Sequence, residues 1–211
     1  MKGTSQITTL FVDIGGVLLT DGWGSESRSA AAAAFGLDPM EMEIRHHQAF
    51  GTHEVGKLSL REYLERVVFQ EERPFTPDQF TRFMFEQSRP YPQMIGLVRG
   101  LKEKYGLKII VVSNEGRELN AHRIRTFRLD EFVDAFISSC YVHLRKPDPD
   151  IFRLALDITQ APAAQVLYLE NTPMFVRIAE DLGIRSLLHT DVTTTRNALA
   201  AIGLQLDGPT P

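Results

Sequence analysis

Apolar residues follow two rhythms along this chain. Short, nearly continuous apolar runs rich in β-branched residues predict buried strands at Ile7–Val12, Leu107–Val112, Val133–Ser138, Val166–Leu169 and Arg185–Leu188. Stretches of helical period separate them. Twice the order is helix, glycine, strand: Leu101–Tyr105 runs into Gly106 and Leu107, and Ala179–Leu182 runs into Gly183 and Ile184. A glycine just past a helix end takes the left-handed cap conformation. Repeated junctions of this kind predict βαβ units, hence an α/β core whose parallel sheet is covered by helices on both faces.

Residues 21–88 break the rhythm and read as helix alone. Ser29–Phe35 is alanine-rich and stops at Gly36. Ser59-Leu60-Arg61-Glu62 has the form of a capping box, with Leu60, Tyr63, Leu64, Val67 and Val68 on one face. Thr76-Pro77-Asp78-Gln79 opens another helix with proline at its first position. Arg89-Pro90-Tyr91-Pro92 then marks a boundary. The expected organisation is a core of residues 1–20 and 89–211 carrying a helical insertion, residues 21–88.

Composition narrows the partners. At 211 residues, 43% hydrophobic and 24% charged, the chain reads as a globular protein with room for one domain and an insertion. A net charge of −4 argues against nucleic acid or an anionic membrane surface as partner. No apolar run approaches the ~20 residues of a membrane span. The polar Met1–Gln6 segment does not read as a signal peptide, and the Asp207–Pro211 tail is expected to fray. The one cysteine, Cys140, excludes an intrachain disulfide and fits a reducing, cytoplasmic setting. The oligomeric expectation is monomer or homodimer.

Four segments place chemistry at strand ends or nearby loops. In Phe11-Val12-Asp13-Ile14-Gly15-Gly16 an acid ends the first strand, where open α/β sheets bind ligands, and glycines after it allow close backbone approach. Val111-Val112-Ser113-Asn114 ends in a hydroxyl and an amide. Arg145-Lys146-Pro147-Asp148-Pro149 holds a lysine among prolines before a helix, and Leu169-Glu170-Asn171-Thr172-Pro173 gathers polar groups at another strand end. Nucleophile, oxygen donors, cation and carboxylates are what phosphoryl transfer requires.

In this order, with a helical insertion after the first, the segments resemble the four motifs of the haloacid dehalogenase-like (HAD) phosphatases, over nearly the whole chain. The resemblance implies a Rossmann-like core and a helical cap between the first and second motifs. It implies Asp13 as nucleophile, with Ser113 and Lys146 completing the catalytic set and Asn114 near the phosphate. It also implies a Mg²⁺ site from Asp13, the Gly15 carbonyl, Glu170 and Asn171, and a small phosphorylated metabolite as substrate. Glu54-Val55-Gly56-Lys57 resembles the cap loop facing the active site in relatives, which makes Glu54 and Lys57 expected substrate contacts.

The chain departs from the pattern twice. Gly15 stands where most family phosphatases carry the acid that protonates the leaving oxygen and then activates water. Asn171 stands where an aspartate is usual, so weaker metal binding is expected. These departures argue against phosphomutase action and keep two other readings beside the phosphatase: a catalytically impaired binding or regulatory protein, and a 2-haloacid dehalogenase. Elsewhere, His46, His47 and His53 are expected as solvated surface, as are Arg117, Arg123, Arg125 and Arg128. Trp23 reads either as a hinge plug or as a substrate-facing aromatic.

Overall fold

The structure, a computed structural model, describes residues 6–206. The expectations for Met1–Ser5 and for the tail from Asp207 lie outside the described residues. Five parallel strands form one sheet: β1 (Thr9–Val12), β2 (Lys108–Ser113), β3 (Ala135–Ser138), β4 (Val166–Glu170) and β5 (Arg185–Leu188), in spatial order β3-β2-β1-β4-β5. Each lies within two residues of its sequence expectation. The α/β parallel fold read from the helix–glycine–strand junctions is the fold observed, and Gly106 takes φ 65° and Gly183 φ 79°.

Strand alternation divides the core. Leu10, Val12, Ile109, Val111, Leu167 and Leu169 join one apolar cluster with Met94, Leu97, Val98 and Leu101 of α5 (Pro92–Tyr105). Phe11, Ile110, Val112, Val166 and Tyr168 point to the opposite face, against Ile151, Phe152 and Ala155 of α8 (Asp150–Thr159) and Ala179 of α9 (Pro173–Asp181). Covering on both faces is why the strands read as continuous apolar runs.

Between β1 and α5 lie four helices: α1 (Ser25–Phe35), α2 (Pro39–Glu54), α3 (Leu60–Val67) and α4 (Pro77–Glu86). Both N-terminal boxes form: Ser59 with Glu62, and Thr76 with Gln79, each bond reciprocated. These helices share a separate cluster that includes Trp23, Tyr63, Leu64, Phe80 and Met84 and reaches Leu119 on α6 (Arg117–Thr126). The chain leaves and re-enters the core through adjacent strands of backbone. Thr20 N–H donates to Arg89 O at 2.9 Å, Arg89 N–H to Thr20 Oγ1 at 3.0 Å, and Tyr91 N–H to Leu18 O at 2.9 Å. The remaining helices are α7 (Ser139–Val142) after β3 and α10 (Val192–Ala201) at the end of the chain.

Among the described residues no helix is long and apolar enough to cross a membrane.

Candidate active site

The order β3-β2-β1-β4-β5 puts the reversal of strand order at β1, so ligands are expected at its carboxyl end. Asp13 sits there, anchored by its own N–H to Leu169 O of β4 at 3.1 Å. Register places Val12 opposite Leu169, which sets Asp13 beside Glu170. A tight turn follows. Leu18 and Leu19 donate to Ile14 O at 3.0 and 2.9 Å, and Gly16 N–H donates to Leu19 O at 2.7 Å. Gly16 has φ +71°, and a Cβ there would lie 1.9 Å from Asn171 Nδ2, so only glycine lets this turn and the Asn171 side chain coexist.

Lys146 is the centre of the cluster, 1% exposed. Its ammonium lies 2.6 Å from Glu170 Oε2, 3.2 Å from Asp13 Oδ1 and 3.0 Å from Tyr168 Oη. Tyr168 Oη also donates to Glu170 Oε2. Asn114 fixes the lysine backbone from both sides: Lys146 N–H donates to Asn114 Oδ1 at 2.9 Å, and Asn114 Nδ2 donates to Lys146 O at 2.8 Å. The Asn114 side chain thus orients Lys146, and Asn114, expected near substrate, also lines a cavity beside the core. Ser113, 1% exposed at the end of β2, reaches Glu115 Oε1 at 3.5 Å, and its hydroxyl favours the charged form of Asp13.

Burial, with the Glu170 charge adding to it, pushes the Asp13 carboxyl up to about 7, while Lys146 and Ser113 pull the other way. Burial works against the Lys146 charge, yet Asp13 and Glu170 outweigh it and hold the ammonium above its ordinary pKa. Asp13 keeps 8% exposure against none for Glu170. Of these two carboxylates, Asp13 alone meets solvent.

Glu170 faces inward. Oε2 serves Lys146 and Tyr168, and Oε1 accepts the Thr172 N–H at 2.9 Å. Among the described residues no three His, Cys, Asp or Glu side chains converge as metal ligands. Oxygen donors left at this end of the sheet include the Asp13 carboxylate, the Gly15 backbone carbonyl and the Asn171 amide oxygen. Such a set fits Mg²⁺, a hard cation that retains water and binds through one or two carboxylates. Glu170 supplies charge behind that set, with both of its oxygens already bonded.

The loop Glu54–Lys57 closes over the β3 end. Ser139 Oγ donates to Glu54 O at 2.7 Å, His143 Nδ1 lies 2.7 Å from Val55 O, and Arg145 pairs with Glu54 at 2.6 Å. Glu54 is buried, and burial pushes its carboxyl up to about 7 against the pull of Arg145. Lys57 is exposed. Of the two residues the sequence expected to touch substrate, Glu54 pairs with Arg145 and lines a cavity. The cavity, of about 220 Å³, opens between the helices and the core, lined among others by Asp21, Trp23, His53, Glu54, Asn114 and Glu115.

Three expectations of solvated surface fail. Arg123 is 1% exposed and donates to Glu115 Oε1, Thr20 O and Ser88 Oγ, tying the β2 loop to both backbone crossings into the helices. Burial raises the Glu115 carboxyl, opposed by Arg123. His46 and His53 are buried, and only His47 is solvated. Trp23 Nε1 donates to Tyr63 Oη at 2.9 Å, which contacts His46 Nδ1 at 2.8 Å, and His53 stacks on Tyr63 at 4.8 Å. Trp23 is 4% exposed, packs in the helical cluster and lines the cavity wall. Sequence reasoning missed Asp21, Glu115, Arg123 and Tyr168. Only Tyr168 carried a signal: two residues before Glu170 in a strand, it shares that residue's face.

The fold is an α/β protein with a buried lysine between two carboxylates at the switch point of its parallel sheet. Residues 7–183 match the family described as haloacid dehalogenase-like hydrolase, and the chain belongs to that family of hydrolases. It is 30% identical over 132 residues to bifunctional epoxide hydrolase 2 of Sus scrofa, a match covering 60% of this chain and 23% of that protein. The chain therefore spans about a quarter of that relative's length. A HAD family enzyme from Bacteroides thetaiotaomicron, in complex with magnesium and inorganic phosphate, superposes with a TM-score of 0.74 at 17% identity, covering 87% of this chain and 94% of the other. The L-2-haloacid dehalogenase from Xanthobacter autotrophicus superposes with a TM-score of 0.62 at 17% identity, covering 92% and 83%. At these identities the two structures attest the shared fold.

Proposed function

We propose that this chain is a Mg²⁺-dependent phosphatase of a small phosphorylated metabolite that works through an aspartyl-phosphate on Asp13. The observation that carries the reading is the Lys146 ammonium 3.2 Å from Asp13 Oδ1, in a cluster where Asp13 keeps access to solvent. Asp13 attacks phosphorus, the leaving oxygen departs, and water then hydrolyses the aspartyl-phosphate. Lys146 and Ser113 hold the transferring oxygens, and Asn114 holds Lys146. When bound by Asp13, the Gly15 carbonyl and Asn171, Mg²⁺ supplies charge neutralisation to the phosphoryl oxygens. Residues 21–88 act as a cap on the core, with Trp23 and the Glu54–Lys57 loop excluding bulk water. The magnesium and phosphate complex of the Bacteroides enzyme supports the same reading.

The test is phosphate release from sugar phosphates, an aryl phosphate and acetyl phosphate, with Mg²⁺ or EDTA, for wild type and Asp13→Asn. Mg²⁺-dependent turnover that vanishes in the variant is the expected result; full activity in Asp13→Asn overturns it. The inward commitment of Glu170 favours one second reading, a metal-free attack of Asp13 on the carbon of a 2-haloacid. Halide release in EDTA would establish that alternative.

A further inference from the structure

We infer that Asp21 is the general acid and base of this site, replacing through space the acid that Gly15 lacks; the inference rests on the phosphatase reading above. The turn Ile14–Leu19 folds the chain back so that residue 21 returns beside residue 15. A Cβ placed on Gly15 would lie 3.5 Å from Asp21 Oδ1 and 3.6 Å from Asp21 Cα. A side chain at position 15 would therefore begin in contact with the Asp21 carboxylate.

Glycines form the seat. A Cβ on Gly16 would stand 3.1 Å from Asp21 Oδ1, and one on Gly24 would stand 3.2 Å from Asp21 Cβ, so a side chain at either position would crowd the carboxylate away. The backbone of this return is pinned from below by Arg123, which donates to Thr20 O. The Asp21 carboxylate itself makes no hydrogen bond or ion pair with any other described residue. It is exposed, and it lines the cavity that Asn114 and Glu115 line from the core side. An unpartnered carboxylate held at a cavity wall, with its backbone fixed, is what a proton carrier requires.

The step balances in two halves. Asp13 attacks phosphorus and the bond to the leaving oxygen breaks, as the Asp21 carboxylic acid gives that oxygen its proton. Water then attacks the aspartyl-phosphate, the Asp21 carboxylate takes the water proton, and the bond between Asp13 and phosphorus breaks. Inorganic phosphate, the Asp13 carboxylate and the protonated Asp21 result.

The test uses Asp21→Asn and the double variant Gly15→Asp/Asp21→Ala, in the full chain with Mg²⁺. Gly15 is not at positive φ and a Cβ there meets its nearest neighbour at ordinary contact distance, and Asp21→Ala clears room for the new carboxyl. Asp21→Asn should lower turnover of a sugar phosphate by about 10²–10⁴-fold. With an aryl phosphate, whose leaving oxygen needs no proton, it should release about one equivalent of phenol in a burst and then slow, because hydrolysis of the phosphoenzyme lacks its base. The double variant should recover turnover. An active wild type with unchanged turnover in Asp21→Asn overturns this assignment alone, as does a uniform loss with no burst and no recovery. A wild type that releases no phosphate from any substrate overturns the phosphatase reading and this assignment together.

Discussion

Lys146 Nζ lies 2.6 Å from Glu170 Oε2, and both side chains are out of contact with solvent. The pair stands behind Asp13, so the lysine neutralises a carboxylate that never reaches the surface as well as one that does. A buried charge costs free energy unless it is paired and hydrogen-bonded. Here Tyr168 and the Thr172 amide complete the hydrogen bonds of Glu170.

Lys146→Met removes the one cation from that arrangement and leaves Asp13 and Glu170 facing each other. Loss of one partner from a buried pair typically destabilises by about 3–5 kcal/mol. Urea unfolding should show a clear drop in midpoint. A midpoint within error of wild type would contradict this account of the cluster.

Arg123 joins three segments distant in sequence: the Thr20 carbonyl, Ser88 and Glu115. Arg123→Ala should destabilise by about 3–5 kcal/mol, since Glu115 is left buried and unpaired. Arg123→Lys should recover only part of the loss, because one ammonium does not reproduce a planar fork reaching three acceptors. The check is chemical denaturation of all three proteins. Equal midpoints for the lysine variant and wild type would contradict the geometry.

Gly56 has φ +69°, and a Cβ there would lie 2.2 Å from the Cys140 carbonyl oxygen. Gly56→Ala therefore suffers strain and collision together, at a cost above ~1 kcal/mol. The expected site of damage is local: the Glu54–Lys57 loop should lift from Ser139 and His143. Hydrogen exchange should speed up over residues 54–58 while the sheet stays protected. Unchanged exchange there would show that the loop tolerates a side chain.

His46 is held neutral. Burial, with the Arg28 charge adding to it and Glu43 opposing, takes its pKa from the ordinary imidazole value down to about 3. A group depressed in the folded state binds fewer protons there than in the unfolded chain. Its contribution to stability is therefore fully present above about pH 6.5 and is lost as pH falls from there toward about 3. His46→Gln keeps an acceptor for the Tyr63 hydroxyl but removes the titration. Thermal melting between pH 7 and pH 4 should show a shallower decline for the variant than for wild type. Parallel declines would assign the acid sensitivity elsewhere.

Locally encoded features were legible in the sequence. Strands buried on both faces appear as continuous β-branched runs, helix ends carry their capping residues, and Gly106 and Gly183 mark the left-handed stops. The segments around Asp13, Ser113, Lys146 and Glu170 stood out for the same reason, because each joins a strand end or proline turn to a reactive side chain within a few residues. Tertiary structure decided what each charge does. Arg123 bonds a carbonyl 103 residues away, Lys146 reaches a carboxylate 24 residues on, and Asp21 arrives at Gly15 only because a six-residue turn doubles back. Residue type marked Arg123, His46 and His53 as surface, because a charged or polar side chain is usually solvated. Their burial depends on partners supplied by other segments. A residue type fixes which charge or proton a side chain carries, but its environment fixes whether that charge is paired, neutral or free to react, and that environment exists only once the chain has folded.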